Sequence, residues 1–113
     1  MCYAGWTKGS MALLADVRAL ATAHGVDAAL LEEWKLLRPT LIQDSEMVRG
    51  AARKAWRWVG EMEEIAATYE AVGLPGNFHL GAARIYERLV AFKDTPKPPE
   101  MGAVLQALGA KRH

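Results

Sequence analysis

The 113-residue chain reads as all-α, a compact bundle of about five helices in a single domain. Three observations predict this. No segment alternates apolar and polar residues with β-branched enrichment, so strand signals are nearly absent. Apolar residues recur instead at spacings of three and four along most of the chain. A content of 51% hydrophobic against 24% charged residues is that of a globular domain long enough to bury one core.

The elements follow in order. Cys2, Trp6, Leu13, Val17 and Leu20, joined by Leu14 and Ala21, fall along one face of a first helix that His24-Gly25 stops. Asp27 is a suitable N-cap for a short second helix carrying Leu30, Leu31, Trp34 and Leu37, and Pro39 helps to end it. The third helix is the longest expected. Its stripe runs through Ala55, Trp58, Val59, Met62, Ile65, Ala66, Tyr69 and Val72 and closes at Gly73, with a start either near Ser45 or after Gly50. Leu74-Pro75-Gly76-Asn77 forms a turn with Asn77 as the cap of a fourth helix, which spaces Phe78, Ala82, Ile85, Leu89 and Phe92 by three and four. Thr95-Pro96-Lys97-Pro98-Pro99 is a stiff linker that separates a helical domain, 1–94, from a terminal segment, 95–113. That segment carries a short helix with Met101, Val104, Leu105 and Leu108, then Gly109 and a basic tail, Lys111-Arg112-His113.

Composition excludes several classes of function. A net charge of +1 creates no global field toward nucleic acid or membrane. No apolar run approaches the ~20 residues of a membrane span, and Asp16 and Arg18 interrupt Met11–Ala23 as a signal sequence. Cys2 is the only cysteine, so neither an intramolecular disulfide nor a cysteine-based zinc site is expected, and a reducing cytoplasm fits best. The histidines at 24, 79 and 113 lack metal-ligand spacing, and no metal site is expected. There is no glycine-rich phosphate loop after a strand and no nucleophile motif.

Four features are positive signals. Gly5, Gly9 and Ala12 form a row of small side chains on one helix, which lets another backbone, a cofactor or a substrate approach, with Lys8 beside it. A frayed helix start with a solvated lysine is the plainer reading. Arg53-Lys54-Ala55-Trp56-Arg57-Trp58 interleaves cations with aromatics, and Glu61, Glu63, Glu64 and Glu70 follow. On a helix that starts after Gly50 this order opposes the macrodipole and hints at anion binding. A start near Ser45 removes the conflict, and Arg57 and Glu61 at i,i+4 make an ordinary surface pair. Trp56 and Trp58 project to widely separated sides, which suggests burial on two sides and a partner. His79, at a helix start, reads first as a surface or partner-capped residue.

Met1-Cys2-Tyr3-Ala4-Gly5-Trp6-Thr7-Lys8-Gly9, then Arg53 through Met62, then Gly73-Leu74-Pro75 and Phe78-His79, resemble one family. It is the domain of unknown function at the C-terminus of NAD-binding 6-phosphogluconate-dehydrogenase-like proteins, within the β-hydroxyacid dehydrogenase superfamily. The similarity runs from Met1 to about Lys93, and the tryptophan-rich segment is its most specific part.

The resemblance implies a two-part oxidoreductase. A Rossmann domain binds NAD(P), and a helical domain completes the substrate cleft and forms a dimer. By register, the superfamily's catalytic Lys falls immediately before Met1, and Ala4 occupies its Asn position. Gly60 and Glu61 stand where the superfamily has a Lys-Asp pair, and Arg57 is placed to supply the cation instead. Lys8, Glu61 and His79 are therefore the candidates for catalytic work, and Lys8 and Arg57 for clamping a substrate anion. Trp56 and Trp58 are the expected interface residues. Expected partners are a Rossmann-type domain or a second copy of the chain in a homodimer. The chain alone is expected to bind no cofactor. The alternative is a free-standing helical interaction module without a catalytic role.

Overall fold

The computed structural model describes residues 1–109, and it is an all-α bundle with no strand among them. Helix α1 spans Cys2–Ala23, α2 Asp27–Leu37, α3 Thr40–Glu46, α4 Val48–Ala51, α5 Trp58–Ala71, α6 Asn77–Glu87 and α7 Met101–Ala107. Single 3-10 turns occupy Ala55–Arg57 and Val90–Phe92. The tail expected at Lys111-Arg112-His113 lies outside the described residues.

Two glycines end helices where the sequence predicts. Gly25 and Gly73 take φ of +72° and +82°. In each case the next residue's N–H donates back five residues, Val26 to Ala21 and Leu74 to Tyr69, which satisfies carbonyls that the helix end would orphan. Asp27 and Asn77 make no side-chain cap. Asp27 instead receives Arg18, from Nε at 3.3 Å and Nη2 at 3.0 Å. Arg18 is buried in α1, and its Nη1 reaches Ser45 Oγ at 3.4 Å and Glu46 at 3.8 Å, so one guanidinium ties α1, α2 and α3 together.

The long third helix does not form as expected. The segment from Thr40 to Ala71 breaks into α3, α4, a 3-10 turn and α5, which begins only at Trp58. A continuous helix would stack Arg49, Arg53 and Arg57 at successive i,i+4 positions, a like-charge ladder across a stretch already weakened by Gly50. The break separates these cations. Arg49 Nε then donates to Pro99 O at 2.9 Å and Arg53 Nη1 to Pro96 O at 3.4 Å. The proline-rich strap is thereby clipped onto the bundle, and α7, with Leu108 just after it, buries Val104, Leu105 and Leu108 in the common core.

That core is built of small residues. Ala12, Ala15 and Ala19 of α1 meet Val48, Ala52, Ala55, Met62, Ile65, Ala82, Ala83, Tyr86 and Leu89. Two expected stripes are displaced. In α6 the buried residues are His79, Ala82, Ala83 and Tyr86, whereas Phe78 faces outward. In α1 the large residues Trp6, Leu13 and Leu20 are exposed, and the small-residue face packs inward. Alanine and glycine let helices approach closely, so the side that reads as weaker in hydrophobicity makes the tighter contact.

Candidate functional site

The N-terminal half of α1 packs against α6, from His79 to Tyr86, and against the start of α5, and most of the candidate residues converge there. His79, in the first turn of α6, is buried against α1 with Nε2 at 3.0 Å from Gly5 O. A carbonyl only accepts, so Nε2 carries the hydrogen in this contact. The ring stacks on Tyr69 with centroids 5.0 Å apart and an interplanar angle of 21°. A Cβ at Gly9 would stand 3.1 Å from His79 Nε2, and one at Gly5 3.4 Å from the same atom. The group that approaches the small-residue row is thus the chain's own imidazole. His79, expected at the surface or capped by a partner, is an internal peg.

Lys8 projects beside this peg. Its Nζ is 2.6 Å from Glu61 Oε1 and 4.9 Å from the Trp58 ring centroid. Tyr86 donates its hydroxyl hydrogen to Lys8 O and meets Trp58 edge-on, centroids 5.3 Å apart at 78°. Burial, and secondarily the Glu61 carboxylate, push the Tyr86 phenol well above its ordinary pKa, so it stays a neutral donor. Glu61 lies in the first turn of α5, where a carboxylate suits the helix dipole. Its partner is Lys8 from another helix, in place of Arg57 one turn earlier. Arg57 stands at the N-cap of α5 with its guanidinium 5.6 Å from the Trp56 ring centroid.

An open groove of about 940 Å³ runs along this face of α1. Lys8, Trp58, Ile85, Trp6, Met47 and Phe78 are among the residues that line it. The two tryptophans of the basic segment differ in use. Trp58 is half-buried within the chain, while Trp56 remains 40% exposed with Lys93 Nζ 4.3 Å from its ring centroid. Tyr86 and Arg18 went unrecognised at the sequence level. Tyr86 lies seven residues beyond His79, two turns along the same face, and that spacing is the signal that marks it.

Residues 21–89, more than half of the chain, match the family described as a domain of unknown function, DUF1932. The chain belongs to this family. It is known as the C-terminal domain of NAD-binding 6-phosphogluconate dehydrogenase-like proteins. No curated protein and no solved structure matches the chain. The matched span takes in α2 through α6, with Glu61 and His79 inside it and Lys8 before it. A dinucleotide cradle in these proteins needs a strand, a glycine-rich turn and a helix N-terminus. The described residues contain no strand and so hold no such cradle. They also hold no group of three His, Cys, Asp or Glu able to bind a metal ion, and no helix long and apolar enough to cross a membrane.

Proposed function

We propose that this chain is the helical half of an NAD(P)-dependent 6-phosphogluconate- or β-hydroxyacid-dehydrogenase-like oxidoreductase. In this reading it supplies one wall of the substrate cleft and the surface through which the protein dimerises. The cofactor belongs to a Rossmann-type partner domain. Lys8 offers a cation to a substrate anion at the groove wall, Arg57 adds positive charge at the start of α5, and Glu61 holds the lysine in place. His79 positions α1 against α6. The observation that carries the reading is the outer face of α1. Trp6 is 72% exposed there, and Phe78 of α6, which lines the same groove, is 84% exposed, in a domain known as the C-terminal part of NAD-binding proteins. Apolar surface of this extent, rimmed by polar groups, marks a docking face.

The test is reconstitution. Titrated with NADH, the chain alone is expected to leave nicotinamide fluorescence unchanged. Combined with a separately produced NAD-binding domain of a 6-phosphogluconate-dehydrogenase-like protein, extended to carry the catalytic Lys that by register precedes Met1, it should support NAD(P) reduction by a small hydroxyacid. Lys8→Ala should then raise KM at least tenfold while shifting folding stability by less than about 1 kcal/mol, since Lys8 and Glu61 are a partly exposed pair. Micromolar NADH binding by the chain alone contradicts the reading, as does a Lys8→Ala variant with unaltered KM.

A further inference from the structure

Charge in this chain is balanced overall and unbalanced locally. Lys and Arg number 14 against 13 Asp and Glu, a net charge of +1. Yet Arg49, Arg53, Lys54 and Arg57 fall in one stretch, 49–57, that holds no acid. Lys93 and Lys97 fall in another, 93–97, with Asp94 alone against them. The fold lays the two stretches side by side. Arg53 Nη1 donates to Pro96 O at 3.4 Å, and Arg49 Nε to Pro99 O at 2.9 Å. Lys93 Nζ and the Arg57 guanidinium stand 4.3 Å and 5.6 Å from the centroid of one ring, that of Trp56.

We infer that this basic patch, with Trp56 at its centre, is a docking surface for an acidic segment of another protein. It is separate from the groove along α1, since neither Trp56 nor any of these cations lines that groove. Arg57 is the one residue shared with the dehydrogenase reading. Three features select the partner, and the first is charge left without a counterion. Arg49 pairs with Glu100 at 3.6 Å. Among the described residues Arg53, Lys54, Arg57, Lys93 and Lys97 have no ion-pair partner. The Pro96 carbonyl satisfies an N–H of Arg53 without cancelling its charge. Like charges so gathered repel one another, and carboxylates from outside relieve them. Lys54, Arg57, Lys93 and Lys97 are exposed and can meet such carboxylates. A second copy cannot supply them through the same patch, because cations would then face cations.

The second feature is the anchor. The 3-10 turn Ala55–Arg57 buries Ala55 and carries Trp56 outward, 40% exposed. Tryptophan and arginine are enriched among the residues that carry most of an interface's binding energy. The third is rigidity. Pro96, Pro98 and Pro99 stiffen the strap, and Arg49 and Arg53 clip it down, so the backbone under Lys97 has little freedom to lose on binding. A nucleic-acid strand fits the patch less well. Its bases need an open aromatic face, and cations already lie over the Trp56 ring. Its backbone needs a basic track, whereas Glu61, Glu63 and Glu64 follow directly in α5.

Fluorescence anisotropy of a fluorescein-labelled peptide, glutamates flanking a central leucine, tests the inference on the full chain. At about 0.05 M salt the expected result is micromolar binding, weakened about tenfold or more at about 0.5 M as the charges are screened. Lys93→Glu should weaken it about fivefold or more and leave the helical circular dichroism unchanged, because this side chain is exposed. Lys35→Glu, the matched reversal at an exposed site of α2, should change the affinity by less than about twofold. Trp56→Ala should weaken it about fivefold or more, since the ring supplies the apolar anchor.

Absence of peptide binding at low salt overturns the inference, as does binding that Lys93→Glu and Lys35→Glu weaken alike. Tighter, Lys93-dependent binding of a single-stranded oligothymidylate of matched charge gives the patch to nucleic acid and overturns it too. In the reconstitution with the NAD-binding domain, Lys93→Glu should leave kcat and KM unchanged. A loss there shows that the patch serves that domain and overturns the separate partner. Reconstitution that fails while the peptide binds as expected supports this inference and counts against the dehydrogenase reading.

Discussion

The contact between α1 and His79 predicts an unusual response to a substitution that ordinarily stabilises helices. Replacing a mid-helix glycine by alanine gains about 1 kcal/mol from backbone entropy. At Gly81, inside α6, a Cβ would meet no heavy atom within 4 Å beyond its chain neighbours and its own helix backbone, so Gly81→Ala should realise the whole gain. Gly9 sits mid-helix too, yet its Cβ would stand 3.1 Å from His79 Nε2, a few tenths of an ångström inside ordinary contact. The ring has nowhere to retreat. Nε2 is held at 3.0 Å from Gly5 O on one side, and Tyr69 covers a face at 5.0 Å. Moving it forfeits the hydrogen bond, about 1 kcal/mol, and part of the stacking, about 0.5 kcal/mol or more. Gly9→Ala should therefore come out neutral to about 1 kcal/mol destabilising. It should lie below Gly81→Ala by about 1–2 kcal/mol, which is a separation near 1 M in urea midpoint for a chain of this size. Both are to be measured at one protein concentration, since any self-association would add to apparent stability. Removing the obstacle should reverse the sign. In a His79→Ala background, itself about 2–3 kcal/mol less stable from the lost ring contacts, Gly9→Ala should recover close to the full 1 kcal/mol. If Gly9→Ala stabilises the wild-type chain as much as Gly81→Ala does, the imidazole is not the element that requires the glycine row.

Three further outcomes follow from other contacts. Because folding raises the Tyr86 pKa, the folded state holds this proton more tightly. Stability should be insensitive to Tyr86 below about pH 10, where the unfolded phenol also stays protonated, and should fall above it by up to about 1.4 kcal/mol per pH unit; Tyr86→Phe should flatten that alkaline limb in urea titrations. Arg18→Met should cost about 3 kcal/mol, since Asp27, Ser45 and Glu46 all lose the same buried guanidinium, and Arg18→Lys should recover only part because its single ammonium cannot span Asp27 and Ser45 together. Ending the chain after Asp94 removes Val104, Leu105 and Leu108 from the core at roughly 1.5–3 kcal/mol each, a loss comparable to the whole stability of a small domain, so the 1–94 fragment should melt without a cooperative transition in calorimetry.

Periodicity made the class of the fold legible, and glycine made its punctuation legible. The stops at Gly25 and Gly73 follow from the left-handed backbone that each helix end needs. The stripe Ala55, Met62, Ile65 and Ala66 was readable because its opposite face is charged. The break before α5 was not, because like-charge crowding among Arg49, Arg53 and Arg57 shows only once a continuous helix is assumed and its ladder drawn. At the site, the row of Gly5 and Gly9 announced a close approach without saying what approached. His79 lies 74 positions from Gly5, and nothing local encodes that meeting. Lys8 and Glu61, 53 positions apart, were each visible as candidates and invisible as a pair, because an i,i+4 partner for Glu61 was already at hand.

Helix α1 was misread for a reason that bears on function. In an amphipathic helix the larger apolar residues mark the inside. Here both sides are apolar in different ways: small residues along Gly5, Gly9, Ala12 and Ala19, and large ones along Trp6, Leu13 and Leu20. Size alone assigns the large face to the core. Packing assigns the small face, because only there can α6 bring His79 and Tyr86 against the α1 backbone. A domain stabilised only by its own core has no use for tryptophan and leucine at heptad spacing on the opposite side, since exposed apolar area promotes unwanted association and adds nothing to the monomer's folding. The same helix thus encodes two contacts in separate residue alphabets, one satisfied within the chain and one left for another surface. Substitutions can divide them. Leu13→Glu should weaken docking on the outer face and largely spare the fold, whereas Gly9→Ala should act on the fold through His79 and leave that face intact.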